Sequence, residues 1–259
     1  ATALALSFPL AAQEEPKGAP APAEIVAAAP KADWVAIPAE DLLVMTLAPD
    51  AEGNPRTVVI QLMPAPFSQG WVHNIRLFAR SGWYDGISVN RVQDNYVTQW
   101  GDPNYDNPEA TGKPKPLPEG LKVMTEAEYV ASAEAISEAN ARWVSAEDIL
   151  DSIREPEGEP ADLVATRTAE HPDGWHQRDA YAEWVEIYKG WPLAAKGTGD
   201  EAKLWPTHCY GMVGVGRNYS PDTGSGAELY TVIGHAPRHL DRNIALVGRV
   251  IEGMEHLSS

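Results

Sequence analysis

The chain has 259 residues, 44% of them hydrophobic, and a net charge of −17 with a single cysteine. That length supports a sizeable core in one large domain or two small ones. An acidic balance without any lysine- or arginine-rich block argues against nucleic-acid or anionic-lipid partners, and no stretch is long and apolar enough to span a bilayer.

Residues 1–12, ATALALSFPLAA, form an apolar run ending in small residues. They read as the remnant of a signal peptide and predict a periplasmic or secreted protein. Residues 13–36 are rich in Ala and Pro without periodicity, a flexible tether. From residue 37 to 259 the pattern is that of one β-rich domain. LLVMTLA (42–48) and TVVIQLM (57–63) flank the turn residues PDAEGNPR and predict a hairpin. Ser68 stands where a helix cap belongs, Trp71, Ile75, Phe78 and Ala79 recur at helical spacing, and Gly82 suits a left-handed terminus. Then ISVNRVQDNYVTQWGD (87–102) gives two short apolar-alternating runs around a polar turn.

The character changes over about 104–205, which reads as an inserted α-helical subdomain. MTEAEYVASAEAISEANARW opens with the capping-box pair Thr125 and Glu128, and SAEDILDSIRE repeats the signal with Ser145 and Asp148. DAYAEWVEIYKG places Tyr181, Trp184, Val185 and Tyr188 on one helical face, a core stripe, with Gly190 as its stop. After Pro206 the β pattern returns in YGMVGVG, AELYTVIG and NIALVGRVIEG. A β-rich core with an insertion fits this layout better than two domains in series.

Most site chemistries lack support. The close histidine pairs, His171/His176 and His235/His239, sit in no HExxH motif and read as surface or supporting residues. TGSG (223–226) lacks the lysine of a phosphate loop, and no GxSxG elbow occurs. Cys209 has no flanking thiol-protease signature and reads as a small buried apolar residue. Arg91 remains, an arginine in mid-strand whose desolvation calls for a reason. Two readings of it stand: a surface ion pair beside ordinary core aromatics, or a functional cation.

Two segments bear on that choice. TVVIQLMPAPFSQGWVHNIRLFARSGWYDGISVNRVQDNYVTQWGDP resembles the first half of a cyclophilin, the peptidyl-prolyl cis-trans isomerase family, whose motifs run SGxYDG, FHRV and QGGDP. AELYTVIGHAPRHLDRNIALVGRVIEGMEHL is similar to the family's SQFFI…LDG…VFGRVxEGM. Together they cover about 110 residues. The resemblance implies a mainly β fold, a closed eight-stranded antiparallel barrel with capping helices. It implies a prolyl isomerase that needs no metal or cofactor, with proline-containing peptides or unfolded proteins as partners. Arg91 and Gln99 match the catalytic positions. Tyr96, Val97, Tyr230 and Leu240 match the walls of the proline pocket, and Gly216 lies near the segment that binds substrate backbone.

The departures are Asn90 for a histidine, Trp100 for a glycine, Glu228 for a glutamine, His239 for a tryptophan and Ile244 for a pocket histidine. Glu228, His239 and Ile244 are still expected to contact substrate, and Trp100 to narrow the groove. Tyr96 and Tyr230 carry hydroxyls that need partners. The alternative reading is a cyclophilin-like peptide-binding module or chaperone with little isomerase activity. In either case the insertion is expected to offer a lid, a partner surface or a dimer contact.

Overall fold

A computed structural model describes residues 19–105, 110–141, 179–197 and 199–258. The chain divides into two units, Ala1–Ile37 and Pro38–Ser259. In the first, helix α1 (Pro22–Ala28) forms within the stretch whose composition predicts only a tether. Glu24 accepts the Ala21 backbone N–H at 2.8 Å, reaching back to cap that helix. The apolar run 1–12 lies outside the described residues. No helix among the described residues is long and apolar enough to cross a membrane.

The second unit opens with the expected hairpin, β1 (Leu42–Leu47) against β2 (Arg56–Leu62). Its turn is held by Asp50, whose carboxylate accepts the backbone N–H groups of Glu52 and Asn54. Helix α2 (Gln69–Arg80) follows, with Trp71, Ile75 and Phe78 buried as their spacing requires. Gly82 takes the left-handed conformation at its end. Ser68 is the capping residue but makes no side-chain cap bond, because its own backbone is left-handed. The neighbouring Gln69 amide ties the entry instead, donating to the carbonyls of Met63 and Phe67.

Strands β3 (Ser88–Gln93) and β4 (Val97–Gly101) come next. After the insertion lie β9 (Met212–Val215), β10 (Leu229–Val232), β11 (Leu246–Glu252) and the short helix α4 (Glu255–Ser258). These strands form one antiparallel sheet in the order β1-β2-β11-β9-β10-β4-β3. β9 and β10 are buried along their whole length, as central strands covered on both faces are. Among the described residues the sheet has seven strands with β1 and β3 at its edges, so the closed eight-stranded barrel is not what they form. The described strands between β4 and β9 pair with one another and not with this sheet.

That segment also corrects the helical insertion. The Thr125–Glu128 capping box forms, with the Thr125 N–H on Glu128 Oε1 at 2.8 Å, but it caps only the 3-10 turn Glu126–Tyr129. Tyr129 stacks on Trp71 with ring centroids 5.6 Å apart, and the chain then extends into β5 (Ala131–Ser132) before helix α3 (Ala133–Ala141). Tertiary packing overrides helix propensity there. DAYAEWVEIYKG forms strand β6 (Trp184–Tyr188), not a helix. Lys189 and Gly190 both have positive φ, the two-residue turn that returns the chain as β7 (Trp191–Lys196). With β8 (Lys203–Pro206) they build a second sheet, β5-β8-β7-β6. Trp184 and Tyr188 pack on the core while Val185 and Ile187 face solvent, a period of two, not 3.6. SAEDILDSIRE lies outside the described residues. Trp191, Leu193, Ala195 and Leu204 belong to the same buried cluster as Val58, Ile60, Trp71, Val213 and Leu246. Burial of each large side chain in it stabilises the fold by about 1.5–3 kcal/mol.

Candidate functional site

The site grows from a break in register. β3 and β4 pair Val89 with Trp100 and then Arg91 with Gln99, so Asn90 is an extra residue in a β-bulge. In an unbroken strand Arg91 would share Val89's face. The bulge turns it to the opposite face, beside Gln99 and Gln93. Arg91 donates to Gln99 Oε1 at 3.3 Å and also to Gln93 Oε1, and its Cζ lies 5.8 Å from the Tyr96 ring centroid. Among the described residues no carboxylate pairs with it, and its side chain is exposed. Of the two readings of Arg91, the surface ion pair is not what forms.

Beside that guanidinium lies a hollow of about 150 Å³. Arg91 and Gln99 stand at its polar side, with Gly216 and Arg217. Its apolar walls are Tyr96, Val97, Tyr230, Leu240 and Ile244. Val97, Tyr230 and Val232 make a small buried cluster with Tyr96 and Ile244, separate from the main core. A hollow of this size accepts a guest about as large as a benzene ring. Alternation along β4 explains the division of labour. Val97 and Gln99 face the hollow, whereas Thr98 donates to the Leu257 carbonyl at 2.6 Å and Trp100 is buried in the main core. Trp100 therefore does not narrow the groove, because it points through the other face of the sheet.

Two expected contact residues stand beside the hollow, not in its wall. Glu228 accepts the Gln99 amide N–H, which leaves Gln99 Oε1 for Arg91. Its side chain also fills the space that a Cβ on Gly216 would take, about 2.9 Å away. His239 is exposed and stacks on Tyr96 with centroids 6.4 Å apart. Arg217 is occupied in shaping the rim, donating to the Asn243 carbonyl at 2.9 Å and the Asn218 carbonyl at 2.7 Å. A second groove of about 350 Å³ runs past Glu40, His73, Arg76 and Arg80, but Arg76 is bound to Asp41 at 2.6 Å and no comparable apolar walls converge there.

Sequence reasoning missed what lies behind the wall. The Tyr230 hydroxyl reaches His208 Nε2 at 2.8 Å, and His208 Nδ1 reaches Asp241 Oδ1 at 2.9 Å. Burial pushes the Tyr230 phenol well above its ordinary value and holds His208 below its own, against the pull of Asp241. Burial alone raises Asp241, but the hydrogen bonds from His208 and Arg238 together hold it below the usual carboxylate value. The ring is thus neutral: Nδ1–H donates to an ionised Asp241 and Nε2 accepts from the phenol. The one hint in the sequence was the hydroxyl that a pocket tyrosine must satisfy. His171 and His176 lie outside the described residues; His235 and His239 do not gather a ligand set, and no cluster of three potential metal ligands occurs among the described residues. Cys209 is half-buried, 3.3 Å from the Thr207 hydroxyl.

An antiparallel sheet, an arginine re-aimed by a bulge and a ring-sized apolar hollow thus meet at one place. Residues 56–259 match the family described as cyclophilin type peptidyl-prolyl cis-trans isomerase/CLD, and the chain belongs to that family. The crystal structure of cyclophilin AquaCyp293 from Hirschia baltica is similar in fold, with a TM-score of 0.54 at 20% identity. That match covers 85% of this chain and 67% of the other. No curated protein sequence matches the chain.

Proposed function

We propose that the chain catalyses cis-trans isomerisation of X-Pro bonds in extended segments of exported proteins. The carrying observation is Arg91, free of any carboxylate among the described residues and set at the lip of the apolar hollow. Rotation about an X-Pro amide is slow because resonance gives the C–N bond double-bond character, a barrier of about 20 kcal/mol. No covalent bond forms or breaks in the reaction, so it requires no nucleophile, metal or cofactor. At the twisted transition state the prolyl nitrogen becomes pyramidal and gains a lone pair. A guanidinium aimed at that nitrogen stabilises the twisted state and not the planar ones.

Tyr96, Val97, Tyr230, Leu240 and Ile244 grip the pyrrolidine ring while the preceding carbonyl swings. Gln99, oriented by Glu228, steadies Arg91 and offers its amide edge to peptide backbone. Arginine suits the task because it stays charged and its planar fork is held by the two glutamine oxygens; lysine has no such fork. The apolar run 1–12 supports export, which a periplasmic reporter fused after residue 36 tests by its activity in the cell envelope.

Exchange NMR on a short prolyl peptide tests the mechanism. The wild type accelerates cis-trans exchange, and Arg91→Ala loses about 100-fold or more of that acceleration, the scale of one lost transition-state donor. Equal rates in both proteins refute the role given to Arg91. Saturable binding without accelerated exchange in the wild type leaves a peptide-binding module.

A further inference from the structure

Behind the hollow lies a buried polar chain that the isomerase chemistry does not use. Tyr230 presents its ring to the hollow and its hydroxyl to His208, whose ring lies parallel to the phenol with centroids 6.3 Å apart. His208 is wholly buried, and both its Nδ1 and its backbone N–H meet Asp241 Oδ1 at 2.9 Å. Arg238 Nε donates to the other oxygen of Asp241 at 2.5 Å, and Arg238 Nη1 donates to Asp179 at 2.5 Å. Asp179 stands where the insertion returns toward β6, and the Arg238 guanidinium also lies over the Tyr181 ring at 5.7 Å. The chain of contacts therefore starts at a wall of the hollow and ends in the insertion.

Three details make this more than a buried polar cluster. Gly214 pairs with Tyr230 across β9 and β10, and a Cβ there would sit 2.3 Å from the phenol carbon and oxygen. The glycine clears the space that the phenol occupies. The turn Arg238–Leu240 also supplies Leu240, a second wall, and His239, which stacks on Tyr96, a third. Finally, every atom of the relay has one consistent role: the phenol donates, neutral His208 accepts at Nε2 and donates at Nδ1, and Asp241 accepts from both sides.

We propose that His208 is a positioning residue of the prolyl pocket, fixing the Tyr230 ring through its hydroxyl and, through Asp241 and Arg238, tying that wall to Asp179 of the insertion. The inference rests on reading the hollow as the prolyl pocket. His208 touches no substrate; it acts by removing the freedom of a ring that does.

Protonation reverses the relay's bond to Tyr230. With both imidazole nitrogens carrying hydrogen, Nε2 no longer accepts from Tyr230, and the phenol must turn its lone pair to the ring. The groups facing the imidazole are Tyr230 from β10 and Asp241, Arg238 and His239 from the following turn. Burial holds His208 below its ordinary value of 6.5, so the neutral, relay-competent form prevails at and above neutral pH and fails as the medium becomes acidic.

The test is a double-mutant cycle on peptide affinity in the full chain, read by NMR titration of an Ala-Pro peptide. Tyr230→Phe and His208→Gln each weaken affinity about three- to tenfold, the scale of one lost hydrogen bond. The double variant is no weaker than the poorer single one, since both changes sever one contact. For His208→Gln the loss in affinity exceeds the change in exchange rate at saturation. The wild type loses affinity as pH falls through the His208 titration, and His208→Gln does not. Multiplying losses in the double variant, or the same pH profile in wild type and His208→Gln, overturns the inference. Should His208→Gln fail to fold, imidazole ¹⁵N NMR of the wild type decides: a proton on Nδ1 supports the relay and a proton on Nε2 overturns it. A wild type that binds no prolyl peptide refutes the pocket reading itself, an outcome distinct from a multiplicative cycle.

Discussion

Two edge hairpins in this chain have strands of similar length and differ in register. β6 and β7 pair without interruption from Trp184–Ala195 to Tyr188–Trp191, around the Lys189–Gly190 turn. β3 and β4 turn at Asn95, also with positive φ, but skip a residue between Val89 and Arg91. The regular hairpin sends Trp184, Tyr188, Trp191 and Leu193 toward the shared core and leaves Val185 and Ile187 in solvent. The bulged one changes parity halfway, so Val89 lies opposite core-facing Trp100 while Arg91 lies opposite groove-facing Gln99. Regular pairing builds a support; a single inserted residue re-aims a side chain toward chemistry.

That contrast breaks if the two hairpins respond alike to substitution. The largest effect belongs to the regular one. Trp191→Ala removes a buried indole on which Arg249 stacks at 4.3 Å, and should cost about 3–5 kcal/mol of unfolding free energy by urea denaturation. Because Trp191 shares its cluster with β2, β9 and β11, loss should appear as a shift of one cooperative transition; a separate early transition would show that the insertion has a core of its own. Arg91→Ala should do the reverse. It should leave stability within about 0.5 kcal/mol, as exposed side chains do, while removing about 3 kcal/mol of transition-state stabilisation.

Asn74→Ala sharpens the picture of how the groove's surroundings are held. Its amide donates to the Lys122 and Ser225 carbonyls at 2.9 Å, and its oxygen accepts the Lys122 N–H at 2.8 Å. Stranding these groups should cost about 1–3 kcal/mol in the same measurement. The pH dependence of stability is smaller. His208 has a folded pKa below its ordinary 6.5, so its contribution is complete above that value and is lost as pH falls through the lower folded one. Thermal unfolding followed below pH 6.5 should therefore show an acid-side loss that His208→Gln reduces. Smallest of all is the effect of Trp100→Phe on peptide exchange. Its ring faces the core, so stability should fall by about 1–2 kcal/mol while the exchange rate stays within about twofold.

The first hairpin, the buried face of α2 and the two runs of β3 and β4 were legible, because each depends on neighbours a few residues away. The candidate pocket was legible as a set of positions: Arg91, Tyr96, Val97, Gln99, Gly216, Tyr230, Leu240 and Ile244 converge on one hollow. Glu228 and His239 lie beside the hollow, in contact with Gln99 and Tyr96. The aromatic spacing in DAYAEWVEIYKG fits a helix and a strand almost equally well over so short a run, and the choice fell to β7, which offers that segment a ladder.

Local pattern, then, determined where strands and α2 begin, since alternation, caps and turn residues act over a few positions, and the family resemblance named the positions that could serve an X-Pro bond. Tertiary structure alone decided which way Arg91 and Trp100 face, that the described strands of the main sheet form an open row of seven, and that His208 meets both Tyr230 and Asp241. Those last contacts join residues 22 and 33 positions apart. Chain separation of that kind leaves no periodic trace, because only the packed sheet brings such groups within hydrogen-bonding reach.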